Sequence, residues 1–173
     1  TVEAQAKPDA ILATNTSSIM IEDIASVLKA PERLIGLHFF NPVPVLPLVE
    51  VIAGQSSEPA LISTAMRFAG ELKKMPVKVK SVKGFLVNRA LLPYLFASIE
   101  AMILGEEPDK LDQALTRFGM PMGPIELCDQ IGLDVCFDVG KVLGMSDVAF
   151  KVLQEKVNSG QLGRKSGSGF YKW

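Results

Sequence analysis

The stretch LIGLHFFNPVPVLPLVEVIAG, residues 34–54, contains two short apolar runs separated by a proline-rich segment. Each run has the length and composition of a β-strand, and the prolines favour a turn or loop between them. A hairpin centred near Pro44 would place positions 38 and 50 directly opposite each other, with their side chains within about 5.5 Å. The sequence therefore predicts that His38 and Glu50 meet in the folded chain.

His38 is the only histidine of the chain. On the pattern alone, a single histidine beside phenylalanines is more often a hydrogen-bonded core residue than a catalyst. Glu50 changes this balance, because strand alternation places it on the apolar face of Leu48 and Ile52, where a carboxylate must be paired. A carboxylate bound to one imidazole nitrogen leaves the other nitrogen free to accept a proton. The pair is either such a proton relay or a buried ion pair without catalytic consequence.

Strand and helix patterns alternate over residues 1–80. The apolar run AILAT is followed by the polar turn NTSS and then by a helical pattern, IEDIASVLKA. A further helix is predicted with Ser57 as its N-cap, and MPVKVK has the alternation of an exposed edge strand. These patterns predict the α/β class for residues 1–80.

Helical patterns replace strand patterns from Ser81 onward, so residues 81–173 are predicted to form an all-α domain. Its first helix is predicted from about Phe85 to Leu104. This helix approaches the length of a membrane span, but polar and charged side chains within it would be costly in lipid, and no span is expected. The glycine-rich tail GQLGRKSGSGFYKW is expected to be a flexible loop.

The charge and cysteine content exclude some classes of function. Eighteen basic and nineteen acidic residues give a net charge of -1 without a basic run, so nucleic acid is not an expected partner. Cys128 and Cys136 have no CxxC or Cys/His cluster around them, so no metal site is expected. Both thiols are expected to be reduced and buried in a cytoplasmic protein.

Three polar residues outside the hairpin have competing interpretations. Ser17 follows the first strand, as any turn or N-cap residue would, but ligands of α/β sheets bind at the carboxyl ends of parallel strands. Asn88 is either a helix-end cap or a hydrogen-bonding partner of a substrate. Lys165 lies in GRKSGSG, which lacks the residue order of a phosphate loop, so it is at most an auxiliary charge for an anionic ligand.

Five segments in order closely resemble the NAD-dependent 3-hydroxyacyl-CoA dehydrogenases of fatty-acid β-oxidation: ATNTSS, GLHFFNPVPVLPLVEVI, GFLVNRALLPYL, FGMPMGPIELCDQIGLDV and GRKSGSGFYKW. The resemblance runs from about Lys7 to Trp173. It implies the C-terminal half of a Rossmann-type domain followed by the family's helical C-terminal domain, through which members commonly form homodimers. It also implies oxidation of a (3S)-3-hydroxyacyl-CoA substrate to the 3-ketoacyl-CoA, with hydride transfer to NAD.

The resemblance assigns roles to the hairpin pair and to two of the polar residues. It implies that His38 is the general base that removes the hydroxyl proton and that Glu50 orients it. Ser17 and Asn88 match residues that hydrogen-bond the reacting oxygen, and Ser17 also lies near the nicotinamide in the family.

The resemblance is incomplete where the family binds its cofactor. Asn41 and Lys165 match family contacts to NAD, but the GxGxxG turn that holds the pyrophosphate does not occur in the 173 residues. These residues alone are therefore expected neither to bind NAD tightly nor to turn over, and NADH formation by them would refute this.

Two other functions and two kinds of parent protein are left open by the sequence. One alternative is a non-catalytic helical assembly module that self-associates through a face formed by Leu92, Leu95 and Ile99. The other is a different 3-hydroxyacid dehydrogenase with a helical second domain. The segment GLDVCFDVGKVLG slightly favours a multifunctional β-oxidation protein over a stand-alone dehydrogenase as the parent.

Overall fold

Two compact units, Thr1–Leu86 and Val87–Trp173, make up the chain. The computed structural model describes residues 2–145 and 147–173. Within the described part of the first unit, four strands form a mixed sheet in the order β1-β2-β3-β4. The strands are β1 (Leu12–Thr14), β2 (Leu34–Phe39), β3 (Leu48–Ala53) and β4 (Met75–Lys80), and the helices are α1 (Val2–Gln5), α2 (Ile21–Ala25) and α3 (Pro59–Glu71).

The predicted hairpin is confirmed. Strands β2 and β3 are antiparallel, and His38 is directly opposite Glu50 in their register. Strand β1 pairs parallel to β2, and β4 pairs parallel to β3 at the edge of the sheet. The α/β class of this unit and the edge position of MPVKVK are therefore also confirmed.

Both faces of the central strands are buried, which explains why their sequences are nearly continuous apolar runs. One face packs against α3 and includes Ile35 and Val51. The opposite face forms a cluster of Ile21, Leu34, Ile52 and Phe85. Because side chains alternate along a strand, His38 and Glu50 belong to the same face as this second cluster.

Two predicted helix boundaries in the first unit are wrong. Helix α2 ends at Ala25, short of the predicted pattern. The N-cap position of α3 is Glu58, and Ser57 has another role: its hydroxyl accepts a hydrogen bond from Gly54 N and donates one to Leu34 O. A tertiary partner on β2 thus competes successfully for the hydroxyl that local sequence assigns to the helix.

The second unit is helical, as predicted. Its core includes Leu92, Leu95, Phe96 and Ile99, together with residues from the later helices. No helix among residues 2–145 and 147–173 is long and apolar enough to cross a membrane. The helices are α4 (Val87–Ile103), α5 (Pro108–Phe118), α6 (Pro124–Ile131), α7 (Leu133–Leu143) and α8 (Asp147–Asn158).

The long helix is present and begins two residues after its predicted start at about Phe85. Helix α4 begins at Val87, because Phe85 has a φ of +50°, which is incompatible with a right-handed helix. Helices α6 and α7 are separate elements, since Gly132 between them has a φ of +103°. At both places a positive φ angle prevents helical structure although the apolar sequence pattern continues.

The structure contradicts the expectation that the glycine-rich tail is a flexible loop. Asp129 on α6 is 1% exposed, and its carboxylate accepts hydrogen bonds from the backbone N–H groups of Phe170 and Tyr171 and from Trp173 Nε1, each at 2.9 Å. The Tyr171 hydroxyl also donates to Asp112 on α5 at 2.8 Å. The tail is therefore bound to two helices of its unit through buried or half-buried carboxylates.

Candidate active site

A buried histidine–carboxylate pair lies on the central strands of the first unit. The distance between His38 Nδ1 and Glu50 Oε2 is 2.7 Å. His38 is 6% exposed and Glu50 is fully buried. Because the two residues are paired in the register of β2 and β3, the backbone of the sheet fixes their separation.

Neighbouring residues restrict both side chains of the pair. The His38 ring contacts Phe40 edge-on, with a centroid distance of 4.6 Å, and lies 5.7 Å from the ring of Phe85. The second carboxylate oxygen of Glu50, Oε1, accepts a hydrogen bond from Leu86 N at 2.9 Å. The sequence pattern did not identify these contacts of Phe85 and Leu86. Gly84, which directly precedes them, was the one residue whose type suggested a turn at this position.

The hydrogen-bond geometry determines how the pair can move a proton. A carboxylate accepts but does not donate, so Nδ1 of a neutral His38 carries the proton that faces Glu50. The lone pair is then on Nε2, and the carboxylate stabilises the positive charge that develops when Nε2 accepts a proton. This arrangement would allow His38 to act as a general base oriented by Glu50.

The loops that follow β1 and β2 lie at the same edge of the sheet, because these strands are parallel. Ser17 is in the first loop and Asn41 follows the second strand. Asn15 Oδ1 accepts a hydrogen bond from Phe39 N at 2.9 Å and so joins the first loop to the end of β2, next to His38. Sequence reasoning missed Asn15, which reads as an ordinary turn residue.

The two remaining predicted site residues lie in the second unit. Asn88 is half-buried in the first turn of α4. Lys165 is in a short 3-10 helix, Arg164–Ser166, and its Nζ contacts both carboxylate oxygens of Asp134 at 2.5 and 2.6 Å. If Lys165 contacts the cofactor, its Nζ must either leave the Asp134 carboxylate or bind the cofactor and Asp134 at the same time.

The cysteines have no part in this site. Cys128 and Cys136 are free thiols buried in the second unit. The hydrogen bond to Cys136 and the burial raise the pKa of the Cys128 thiol well above its ordinary value, which suppresses the reactive thiolate. Among the described residues, no cluster of three or more His, Cys, Asp or Glu side chains is arranged to hold a metal ion.

The fold and the site define a class of protein: an α/β unit with a buried histidine–carboxylate pair on its central strands, joined in sequence to a helical unit. Residues 1–82 match the family model of the 3-hydroxyacyl-CoA dehydrogenase NAD-binding domain. Residues 84–173 match the model of the 3-hydroxyacyl-CoA dehydrogenase C-terminal domain. The chain belongs to the 3-hydroxyacyl-CoA dehydrogenase family.

Similar proteins agree with this assignment. The chain is 43% identical to the fatty acid oxidation complex subunit alpha of Vibrio vulnificus, over 99% of this chain and 25% of that protein. The chain thus spans about a quarter of the length of the curated relatives it matches.

Solved structures with the same fold include FadB2 of M. tuberculosis and 3-hydroxybutyryl-CoA dehydrogenases. FadB2 of M. tuberculosis has a TM-score of 0.91 at 39% identity, with 97% of this chain and 62% of that chain covered. The 3-hydroxybutyryl-CoA dehydrogenase of Escherichia coli K12 has a TM-score of 0.88 at 40% identity, with 99% of this chain and 38% of that chain covered.

Proposed function

We propose that the full-length protein containing these residues oxidises a (3S)-3-hydroxyacyl-CoA to the 3-ketoacyl-CoA with NAD, in fatty-acid β-oxidation. The observation that carries this proposal is the buried His38–Glu50 pair at 2.7 Å, located in a chain of this family. The similarity to fatty acid oxidation complex subunits over a quarter of their length favours a multifunctional parent.

His38 acts as the general base of the proposed reaction. Its Nε2 accepts the proton of the 3-hydroxyl group, while Nδ1–H stays hydrogen-bonded to Glu50, whose negative charge stabilises the imidazolium. Ser17 and Asn88 hold the reacting oxygen by hydrogen bonds, which places the hydroxyl proton within reach of the base. NAD, when bound, supplies the hydride acceptor.

Part of an NAD site is present in the first unit. Dinucleotides bind outside the carboxyl ends of parallel strands, and the loops after β1 and β2, which carry Ser17 and Asn41, are at that edge. These two residues fit the nicotinamide end of the cofactor, and Lys165 is a third proposed contact. No GxGxxG loop for the pyrophosphate occurs in the 173 residues.

The proposed boundaries of the domains are 1–80 and 81–173. They separate this partial NAD-binding domain from a domain for substrate and dimer contacts.

A substrate panel tests the reaction class. The full-length protein should form NADH from (3S)-3-hydroxyacyl-CoA and not from the corresponding free 3-hydroxy acids, because the proposed substrate is a CoA thioester. NADH formation from free acids at the same rate would favour the different 3-hydroxyacid dehydrogenase. The 173 residues without the remainder of the parent should form no NADH, since they contain no pyrophosphate loop.

The oligomer proposed for this protein is a cytoplasmic homodimer that forms through the helical domain. The face of Leu92, Leu95 and Ile99 cannot provide the contact expected for an assembly module, because these residues are at most 3% exposed and belong to the hydrophobic core of the helical unit. Leu104 and Phe118, by contrast, are 87% and 85% exposed.

The buried centre of homodimer interfaces is more apolar than the rest of the surface, and we propose that the homodimer covers these two side chains. Sedimentation equilibrium should therefore give twice the chain mass for the full-length protein and a lower mass for Leu104→Asp/Phe118→Asp. A monomeric mass for the unsubstituted protein would contradict the homodimer. Cell fractionation followed by detection of the protein tests the proposed cytoplasmic location.

A further inference from the structure

A strained turn lies directly before the helical unit. Gly84 has a φ of +72° and Phe85 a φ of +50°. Phe85 is only 2% exposed, so its ring is fixed in the core of the first unit. A bulky residue in the left-handed region is a genuine outlier, which persists only when the surrounding structure over-determines it.

The turn directs two groups toward the His38–Glu50 pair. The Phe85 ring lies 5.7 Å from the His38 ring, and the next backbone N–H, that of Leu86, donates to Glu50 Oε1 at 2.9 Å. One oxygen of Glu50 therefore contacts the imidazole, and the other contacts the backbone of this turn. A carboxylate held at both oxygens cannot rotate without breaking one of these bonds.

The start of the same segment is also anchored. The Ser81 hydroxyl accepts a hydrogen bond from Ile21 N at 3.0 Å and donates to Glu22 at 2.5 Å, and Glu22 also accepts from Gln55 N at 2.9 Å. Burial opposes ionisation of Glu22, but the hydrogen bonds of Ser81 and the backbone outweigh it and lower the pKa of this carboxyl. Segment 81–86 is thus fixed at Ser81 as well as at Leu86.

We propose that segment 81–86 is a positioning element for catalysis, in which the strained Gly84–Phe85 turn aims the Leu86 N–H at Glu50 and so holds the carboxylate that orients His38. This inference rests on the proposed function, because it gives Leu86 a role that acts through Glu50 on the general base. A connector without this role would need neither a positive φ at a buried phenylalanine nor an N–H directed at the carboxylate.

Replacing Leu86 by its α-hydroxy acid analogue tests the role of the N–H. This change converts one amide into an ester and keeps the side chain. Leu72 offers a matched control: it is 48% exposed against 53% for Leu86, and its N–H donates to the neutral carbonyl of Phe68 at 3.1 Å. In the full-length protein, the Leu86 ester should lower kcat by about 10- to 100-fold with little change in KM, as misplacement of a catalytic group does. The Leu72 ester should leave kcat unchanged.

The ring nitrogens of His38 give a readout that a purely structural role would not change. In the full-length protein labelled with 15N-histidine, the imidazole signals that are missing from His38→Gln identify the ring of His38, the only histidine of the 173 residues. The neutral ring should have its proton on Nδ1 in the unmodified chain and in the Leu72 ester. The Leu86 ester should increase the population of the Nε2–H tautomer.

Three results would overturn the inference: equal kcat for the two esters, identical imidazole spectra, or loss of folding confined to the Leu86 ester. The proposed function fails separately, if His38→Gln leaves the full-length enzyme active. An enzyme that depends on His38 but is indifferent to the Leu86 ester would retain the function and refute only the positioning role.

Discussion

Replacing His38 by glutamine should lower kcat of the full-length protein by about 10²- to 10⁴-fold, the usual contribution of a general base. Glutamine retains a polar group near Glu50, but it cannot accept the proton of the 3-hydroxyl group. The His38 ring is buried against Phe40 and Glu50, so the substitution does not alter the protein surface. The fall in kcat is therefore expected from the loss of the proton acceptor Nε2. Steady-state kinetics with a 3-hydroxyacyl-CoA and NAD measure it.

Thermal unfolding and NAD affinity provide the controls for this substitution. NAD affinity should stay close to the value of the unmodified protein, and thermal unfolding should remain cooperative, because the strand pairing of β2 and β3 does not depend on the imidazole. The midpoint of unfolding should fall, because the buried Glu50 loses the Nδ1–H of His38. Unchanged kcat in a folded variant would assign the pair to the structural role of a buried ion pair.

Removal of the Asp129 carboxylate should cause the largest loss of stability. Asp129→Ala leaves the N–H groups of Phe170 and Tyr171 and the Nε1–H of Trp173 without their acceptor. An unsatisfied buried donor costs about 1–3 kcal/mol, so we expect the two half-buried N–H groups of Phe170 and Tyr171 to lower the free energy of unfolding by about 2 kcal/mol or more. Trp173 is 43% exposed, so its Nε1–H can donate to water instead. Chemical denaturation followed by fluorescence measures this directly, since Trp173 is the only tryptophan of the 173 residues.

Asp138 on α7 is a suitable control, because it is an exposed aspartate on a neighbouring helix. Asp138→Ala should change the free energy of unfolding by no more than about 0.5 kcal/mol. If Asp129→Ala were as mild as Asp138→Ala, the tail would not be held by the contacts described above.

The hairpin could be predicted because local signals specify it completely. Two apolar runs flank a proline-rich connection, and a carboxylate within one run requires a partner, for which His38 in the other run is the nearest candidate. The register followed from simple symmetry about Pro44. The family resemblance then supplied roles for residues such as Ser17 and Asn88, which their spacing alone left ambiguous.

The errors arise where a distant residue decides the local structure. The tail is glycine-rich and looks flexible, but Asp129, some 40 residues earlier, binds its backbone. Phe85 fits the apolar pattern of the following helix, yet its positive φ excludes it from that helix, which begins only at Val87. Neither a carboxylate from another helix nor a left-handed backbone angle leaves a periodic signal in the sequence.

A double-mutant cycle on His38 and Glu50 in the full-length protein tests most directly whether the pair acts as one unit. Single substitutions His38→Gln and Glu50→Gln should each lower kcat, and the double variant should be no slower than His38→Gln alone, because Glu50 acts only through the imidazole. A double variant whose loss equals the product of the two single losses would mean that the residues act independently, and it would contradict the proposed proton relay.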